Sequence, residues 1–390
     1  MEMKEIYLDN SATTPLSEVS KGAIVRAMEI YGNPSSLHSM GQKAHELLEA
    51  ARRQVLSGLG VRQRRDGGAL VFTSSGTEAT SLAILGTAYA KERREAVRIL
   101  TTDSEHPSVA RVMDKLASDG FEVVRIGTRG GAFDMEGLRA SLDKKIFLAS
   151  FMLVNNETGA IYNVAEAFGL IKQRYPDAIT HCDAVQGFMK IPFTPTSLKA
   201  DMVTVSAHKL FAPKGVGALY VSAELLKTKK IAPYILGGGQ ESGMRSGTEN
   251  LIGITAFGAS VEDIERRRGE VDEYMRGLRA YADEKLALLD VRVNLPAGER
   301  LANIINITLP KIKSETMLHA LSADGIFVSS GSACSSHSKK TSDSLLAFGL
   351  SEAEADCSLR ISMSEYNTKE DIDALCESLE KNLARLVRIK

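Results

Sequence analysis

Between residues 69 and 221, short apolar runs alternate with helix-patterned stretches: ALVFTS, EATSLAILGTAYAKE, VRILTT, VARVMDKLAS, FEVVRI, MEGLRASL and KIFLASFMLV follow one another in order. This rhythm leaves few folds open. A strand, a helix and another strand make a βα unit, and repeated units lay their strands side by side in a largely parallel sheet flanked by helices. The run FLASFMLV is apolar at almost every position, as a strand covered on both faces must be. The pattern continues through AEAFGLIKQRY, AITHCDA, DMVTVS and GALYVS.

Residues 250–289 then read as one long helix, charged around ERRRGE, that connects two units. Beyond it, ANIINITL, TMLHALSADG, IFVSS and CSLRISMS describe a smaller α+β unit, closed by a leucine-periodic helix that Thr368 opens as N-cap. A chain of 390 residues has room for both. The expected division is a large domain over 14–255 and a small one made of 1–13 with 256–390. A net charge of -1 advertises neither nucleic acid nor an anionic membrane as partner. No run approaches the roughly 20 apolar residues that span a bilayer, and MEMKEIYLDNSATTP lacks an apolar signal core, so a cytoplasmic protein is expected. The four cysteines form no CxxC pair and no disulfide framework, which suits a reducing compartment. Cys182, Cys357 and Cys376 lie in apolar patterns and read as core residues.

Ligands of α/β sheets collect at the strand ends, and those ends carry the chemistry here. DMVTVS runs into Ser206, His208 and Lys209. A lysine so placed either sits in a solvated loop or, with its pKa depressed and a carbonyl cofactor at hand, forms a Schiff base. AITHCDAVQG ends a buried strand on Asp183, with Gln186 three residues on. That acid either caps a turn or pairs with a cation such as a protonated pyridine nitrogen. FTSSGTEAT sets Ser75, Gly76 and Thr77 before a helix, an arrangement that caps the helix or binds phosphate through free N–H groups. His106 precedes a helix-starting proline, and Asn155 and Asn156 end another strand, where turn chemistry is the alternative to binding. Taken together, these ends fit a pyridoxal phosphate pocket.

The chain also resembles the cysteine desulfurases of the NifS/IscS family, class V within the fold-type I pyridoxal phosphate enzymes. The resemblance rests on YLDNSATTP (7–15), GNPSSLHSMG (32–41), TSSGTEA (73–79), EHPSV (105–109), VNNETG (154–159), HCDAVQ (181–186), SAHKLFAPKGVGALYV (206–221), GGGQESGMRSGTEN (237–250) and SSGSACSS (329–336), in the family's order. It implies an α/β fold with a large, mostly parallel seven-stranded sheet domain and a smaller α+β domain. It implies pyridoxal 5'-phosphate bound covalently by Lys209, its ring nitrogen paired with Asp183 and its face stacked by His106. Gly76, Thr77, Ser206 and His208 would hold the phosphate, with Thr248 reaching across a homodimer. Asn156 and Gln186 would meet the ring side of the cofactor or the substrate, and Arg360 would take the substrate carboxylate, a task for a bidentate donor.

By the same resemblance, L-cysteine would displace Lys209, whose amine would then move the Cα proton. The Cys334 thiolate, with His106 or another base favouring its deprotonation, would take the sulfur as a persulfide and leave alanine. A sulfur-acceptor protein, such as an iron-sulfur scaffold or a component of tRNA or cofactor thiolation, would receive it. The small residues at 329–344 are expected to form a mobile tether, with 335–344 around Lys339 and Lys340 ordering only against an acidic partner or substrate. Selenocysteine lyase and cysteine-sulfinate desulfinase are the sibling readings, and a non-catalytic scaffold or an ordinary aminotransferase the distant ones. Three positions depart from the family pattern: Ser81, Ala212, and Ser364-Glu365-Tyr366 where Gly-Arg-Phe is common. The last reverses a charge close to Arg360.

Overall fold

The computed structural model describes residues 4–61, 67–90, 98–330 and 341–387. Seven strands form its main sheet: β2 (Ala69–Thr73), β3 (Arg98–Thr102), β4 (Glu122–Ile126), β5 (Ile146–Met152), β6 (Ile179–Asp183), β7 (Met202–Ser206) and β8 (Gly217–Val221). Their spatial order is β2-β8-β7-β6-β5-β3-β4. Neighbours from β4 to β7 pair in parallel, whereas β8 runs antiparallel to both β7 and β2. The sheet is thus mostly parallel, as the βα rhythm requires, with one reversed strand slotted between β2 and β7. Every residue of β6, β7 and β8 is buried, and β5 is buried at all but Phe147, which explains its near-continuous apolar character.

Because the six like-directed strands end on one side, the segments that follow β2, β3, β5, β6 and β7 converge there. β4 lies at the sheet edge, and the residues after it do not line the cavity described below. Helices Gly76–Ala88 and Pro107–Ser118 begin at this rim. Ser75 caps the first by accepting from the Glu78 N–H (3.1 Å), and His106 caps the second.

The long helix, Leu251–Leu286, spans two apolar cores. Phe257, Val261 and Ile264 enter the core around the sheet, while Met275, Leu278, Ala282 and Leu286 enter a second one. That second core surrounds a four-stranded sheet of order β12-β13-β10-β9, made of β9 (Arg292–Val293), β10 (Ile304–Thr308), β12 (Ser329–Ser330) and β13 (Ser358–Ser362). The N-terminal strand β1 (Ile6–Tyr7) pairs in parallel with β11 (Ile326–Phe327) and contributes Ile6 and Leu8 to the same core. The final helix, Lys369–Arg385, starts at Thr368, whose N–H donates to Asp371 (3.1 Å).

Cys182, Cys357 and Cys376 are all buried, as their apolar surroundings foretell. Cys334 lies outside the described residues. The expected tether over 329–344 is too wide at both ends. Ser329 and Ser330 pair with Arg360 and Leu359 in the small sheet. At the other end, the Ser342 hydroxyl donates to Glu157 (2.7 Å) and caps the helix Asp343–Phe348, while Ser344 accepts from the Asn155 amide (2.7 Å). These buried hydrogen bonds hold residues that composition alone suggests are loose.

Candidate active site

A cavity of about 270 Å³ opens where the strand ends meet, lined among others by Gly76, Thr77, His106, Asn156, Asp183, Gln186, Ser206, His208, Lys209 and Arg360. Ten of the side chains or backbones singled out from sequence therefore share one space. Thr248 does not: it is exposed on the loop before the long helix and does not line the cavity of its own chain.

At the β2 end, Ser75, Gly76 and Thr77 bring the start of a helix to the cavity wall, a ready anion site. Gly76 is needed for closeness. A Cβ there would stand 3.1 Å from Val185 Cγ2 and 3.4 Å from Ser206 Cβ. The Ser206 hydroxyl is buried on the same wall with no hydrogen-bond partner. Beside it, His208 Nδ1 lies 3.3 Å from the Thr13 hydroxyl, and burial together with the Lys209 charge pushes its pKa down to about 4.

Asp183 is 6% exposed, and one carboxylate oxygen accepts from the Val185 N–H at 3.0 Å. Among the described residues no basic side chain lies within ion-pairing distance of it. Burial lifts its pKa to about 6, against the pull of that N–H and of Lys209. Behind it sits Glu105, which no reading of residue types singles out. One of its oxygens accepts from the Thr102 hydroxyl (2.7 Å) and the Met152 N–H (3.0 Å), and the other has no partner. Burial raises it to about 8, so near neutral pH it is largely protonated and Asp183 carries the site's negative charge.

His106 Nδ1 accepts from the Ser108 N–H (3.1 Å) and lies 2.8 Å from the Ser108 hydroxyl. A backbone N–H can only donate, so Nδ1 is the bare nitrogen and the neutral ring carries its proton on Nε2. Burial and the charges of Lys209 and Arg360 lower its pKa to about 4.

The Lys209 ammonium donates to the carbonyls of Ser11 and Ala12, the latter at 2.7 Å. These belong to the segment 8–12, which is stitched to β13: Ser362 donates to the Leu8 carbonyl, and Asn10 and Ser11 bond back to Ser362. Two residues from that seam, Arg360 donates to Asp9 (2.8 Å) and to the Asn156 carbonyl (3.0 Å). Its Nε is buried and unpartnered. The segment 8–12 thus positions both cationic side chains, through backbone oxygens and one carboxylate that residue-type reasoning overlooks.

The Asn155 side chain accepts from the Glu157 and Thr158 N–H groups and donates to Ser344, so it serves the turn, whereas Asn156 faces the cavity. The reversed charge at Glu365 is absorbed locally. Arg267, on the long helix, donates to it at 2.8 Å while also holding Asp263, and Tyr366 packs edge-on against Phe211.

A buried acid without a cation, an orphaned hydroxyl and a glycine cradle at a helix start are the complement of a phosphorylated, cationic-ring cofactor. The ends of β6, β7 and β2 supply them, as in the fold-type I pyridoxal phosphate enzymes. Comparison with known proteins agrees. Residues 6–375 match the class-V aminotransferases, and the chain belongs to that family. It is 37% identical to a cysteine desulfurase of Trichormus azollae over 98% of this chain and 94% of that one. It is 36% identical to the cysteine desulfurase IscS of Dictyoglomus turgidum, over 98% and 95%. Among solved structures, a NifS-like protein superimposes with a TM-score of 0.89 at 34% identity, covering 98% of this chain and all of the other. The cofactor is pyridoxal 5'-phosphate, and the residues present fit it. No helix among the described residues is long and apolar enough to cross a membrane.

Proposed function

We infer that the protein is a cysteine desulfurase that moves sulfur from L-cysteine onto Cys334, releasing L-alanine, for delivery to an acceptor protein in iron-sulfur cluster assembly or in tRNA or cofactor thiolation. The observation that carries the reading is the convergence of Asp183, His106, Lys209 and Arg360 on one cavity in a chain related over its length to cysteine desulfurases.

When bound, the cofactor supplies an electron sink for the substrate's Cα–H and C–S bonds. Asp183 keeps the ring nitrogen protonated, because an unpaired buried carboxylate gains most from a cation beside it. Gly76, Thr77, Ser206 and His208 hold the phosphate, the Ser206 hydroxyl acquiring there the partner it otherwise lacks. Lys209 would anchor the cofactor, and its amine would move the substrate's Cα proton. Arg360 orients the substrate carboxylate through its free Nε, with Asp9 and the Asn156 carbonyl fixing the rest of the guanidinium. Asn156 and Gln186 bound the ring side. With Nδ1 taken up by Ser108, His106 has Nε2–H left to offer in the cavity it lines, and so would serve there as a donor rather than as the base for the thiol. The Cys334 thiolate attacks the substrate sulfur: one S–S bond forms, the C–S bond breaks, its electron pair stays with the carbon skeleton, and a proton completes alanine.

The working unit is a cytoplasmic homodimer. Tyr31, Leu37 and Leu236 are 84%, 93% and 79% exposed, apolar surface that a second copy would cover, and Thr248 is free to meet a neighbouring phosphate. The deciding experiment adds L-cysteine to the cofactor-loaded protein and follows alanine and protein-bound persulfide together. Cys334→Ala abolishes persulfide and Lys209→Ala abolishes covalent cofactor attachment. Persulfide persisting on another cysteine, or full desulfuration by Cys334→Ala, would overturn the assignment.

A further inference from the structure

Lys190 has no place in the chemistry above, yet it lies directly behind the cavity. It follows Gln186 by four residues and lines a second, smaller space of about 50 Å³ that touches Asn10, Ser11, Lys209 and Glu365. Its ammonium has no carboxylate partner among the described residues. Its one hydrogen bond there goes to the side-chain amide oxygen of Gln186, Oε1, at 3.4 Å. Burial and the nearby Arg360 charge depress its pKa to about 8. A largely enclosed cation whose one partner among the described residues is an amide is an expensive thing for a fold to keep.

The neighbours of Gln186 explain what it accomplishes. On one side stands an ammonium, which can only donate. On the other, the Gln186 Nε2 donates at 3.0 Å to the Ser11 carbonyl, which can only accept, and the Lys209 ammonium donates to that same carbonyl. Both neighbours demand one orientation of the amide: oxygen toward Lys190, NH₂ toward Ser11. The second amide hydrogen is left for the cavity that Gln186 lines. The result is a continuous chain from Lys190 through Gln186 and Ser11 to Lys209, and a cation at its head polarises the amide and strengthens it as a donor.

We propose that Lys190 is a positioning residue of this enzyme, which orients and polarises Gln186 so that the amide presents a donor, never an acceptor, to the ring side of the bound cofactor. The proposal rests on the reading that Gln186 meets the cofactor ring. Removing the charge therefore alters the protonation equilibrium of the bound chromophore without harming the fold, since replacing a buried unpaired cation by an apolar side chain of similar length is neutral or stabilising.

The experiment compares wild type, Lys190→Met, Gln186→Leu and the double variant by two measurements: thermal melting of the cofactor-free proteins, and pH titration of the bound cofactor's absorption. Lys190→Met melts no lower than wild type, and its absorption midpoint moves in the same direction as that of Gln186→Leu, by about half a pH unit or more. In the Gln186→Leu background the same substitution adds no further shift, because its route is gone. An unmoved midpoint in Lys190→Met, or an equal shift in both backgrounds, overturns the proposal, the second outcome exposing a through-space charge effect. A midpoint that Gln186→Leu leaves in place while Lys190→Met moves it removes Gln186 from the ring, and the proposal with it.

Discussion

Replacing Asp183 by Asn in the cofactor-free protein is expected to stabilise it, although Asp183 is central to the site. The carboxylate is 6% exposed, and burial lifts its pKa from the ordinary 3.8 to about 6. A folded-state pKa above the unfolded value means that the native protein holds the proton more tightly. Its contribution is fully present below about pH 3.8, is lost as pH rises through 6, and above that leaves the anion without a cation. The shift of about 2 units corresponds to ~3 kcal/mol. Asn keeps the shape and the acceptor for the Val185 N–H but cannot ionise. Cofactor-free Asp183→Asn should therefore outlast wild type at pH 8 by up to ~3 kcal/mol, a rise of a few degrees in Tm, with the gap closing toward pH 4. Comparing the two proteins cancels Glu157, which titrates in the same range, and reads the Asp183 charge together with its upward push on Glu105. Adding pyridoxal 5'-phosphate should reverse the order at pH 8, because in the proposed pairing only the carboxylate can meet a ring cation. A gap that is absent at pH 8, or that stays constant from pH 4 to 8, would refute the reasoning.

Two further outcomes follow from the same geometry. At pH 7, three units above the His106 value of about 4, roughly one ring in a thousand is cationic, so His106 works as an Nε2–H donor. Gln, which offers an amide N–H, should retain alanine formation about tenfold or more above His106→Ala; equal rates for the two variants would point to a base instead. Glu365→Arg should lower stability by about 1–3 kcal/mol by facing Arg267 with a like charge. Adding Arg267→Glu should recover at least half of the loss, since the pair is then restored with its charges exchanged and the introduced arginine also has Asp263 within reach; urea unfolding of the four proteins closes that cycle.

What could be read from the chain and what could not divide along a physical line. Asp183 was legible because an apolar strand run ends on it, and a charge at a buried strand end demands a partner, while His106 and Lys209 follow strand ends by four and three residues. The βα rhythm likewise foretold the parallel array, but nothing in GALYVS announces that β8 runs backwards between β2 and β7; direction depends on the length and path of the connection before it. The carbonyls of Ser11 and Ala12 carry no residue-type signal at all, since every residue has one. Arg267 is 98 residues from Glu365, so the departure at Glu365 reads as a disturbance in sequence and as a compensated pair in space. Ser342 and Ser344 look like tether residues until Glu157 and Asn155 are brought against them. The seven-stranded domain was thus visible in outline, and the cavity's donors and acids in kind, while the backbone clasps that aim them required the fold.

The seam between residues 8–12 and β13 also sets a timetable for biogenesis. Asn10 and Ser362, which bond directly, are 352 positions apart. At a translation rate of ~5–20 residues per second, about 20–70 s elapse between their syntheses. For that interval Asn10 must wait for Ser362, while the seven-stranded sheet, complete by Val221, has all its strands in hand. Lys209 is made well before the strap that receives its amine can be tied to β13, so a ribosome stalled short of residue 358 would hold a finished sheet and an unfinished cavity.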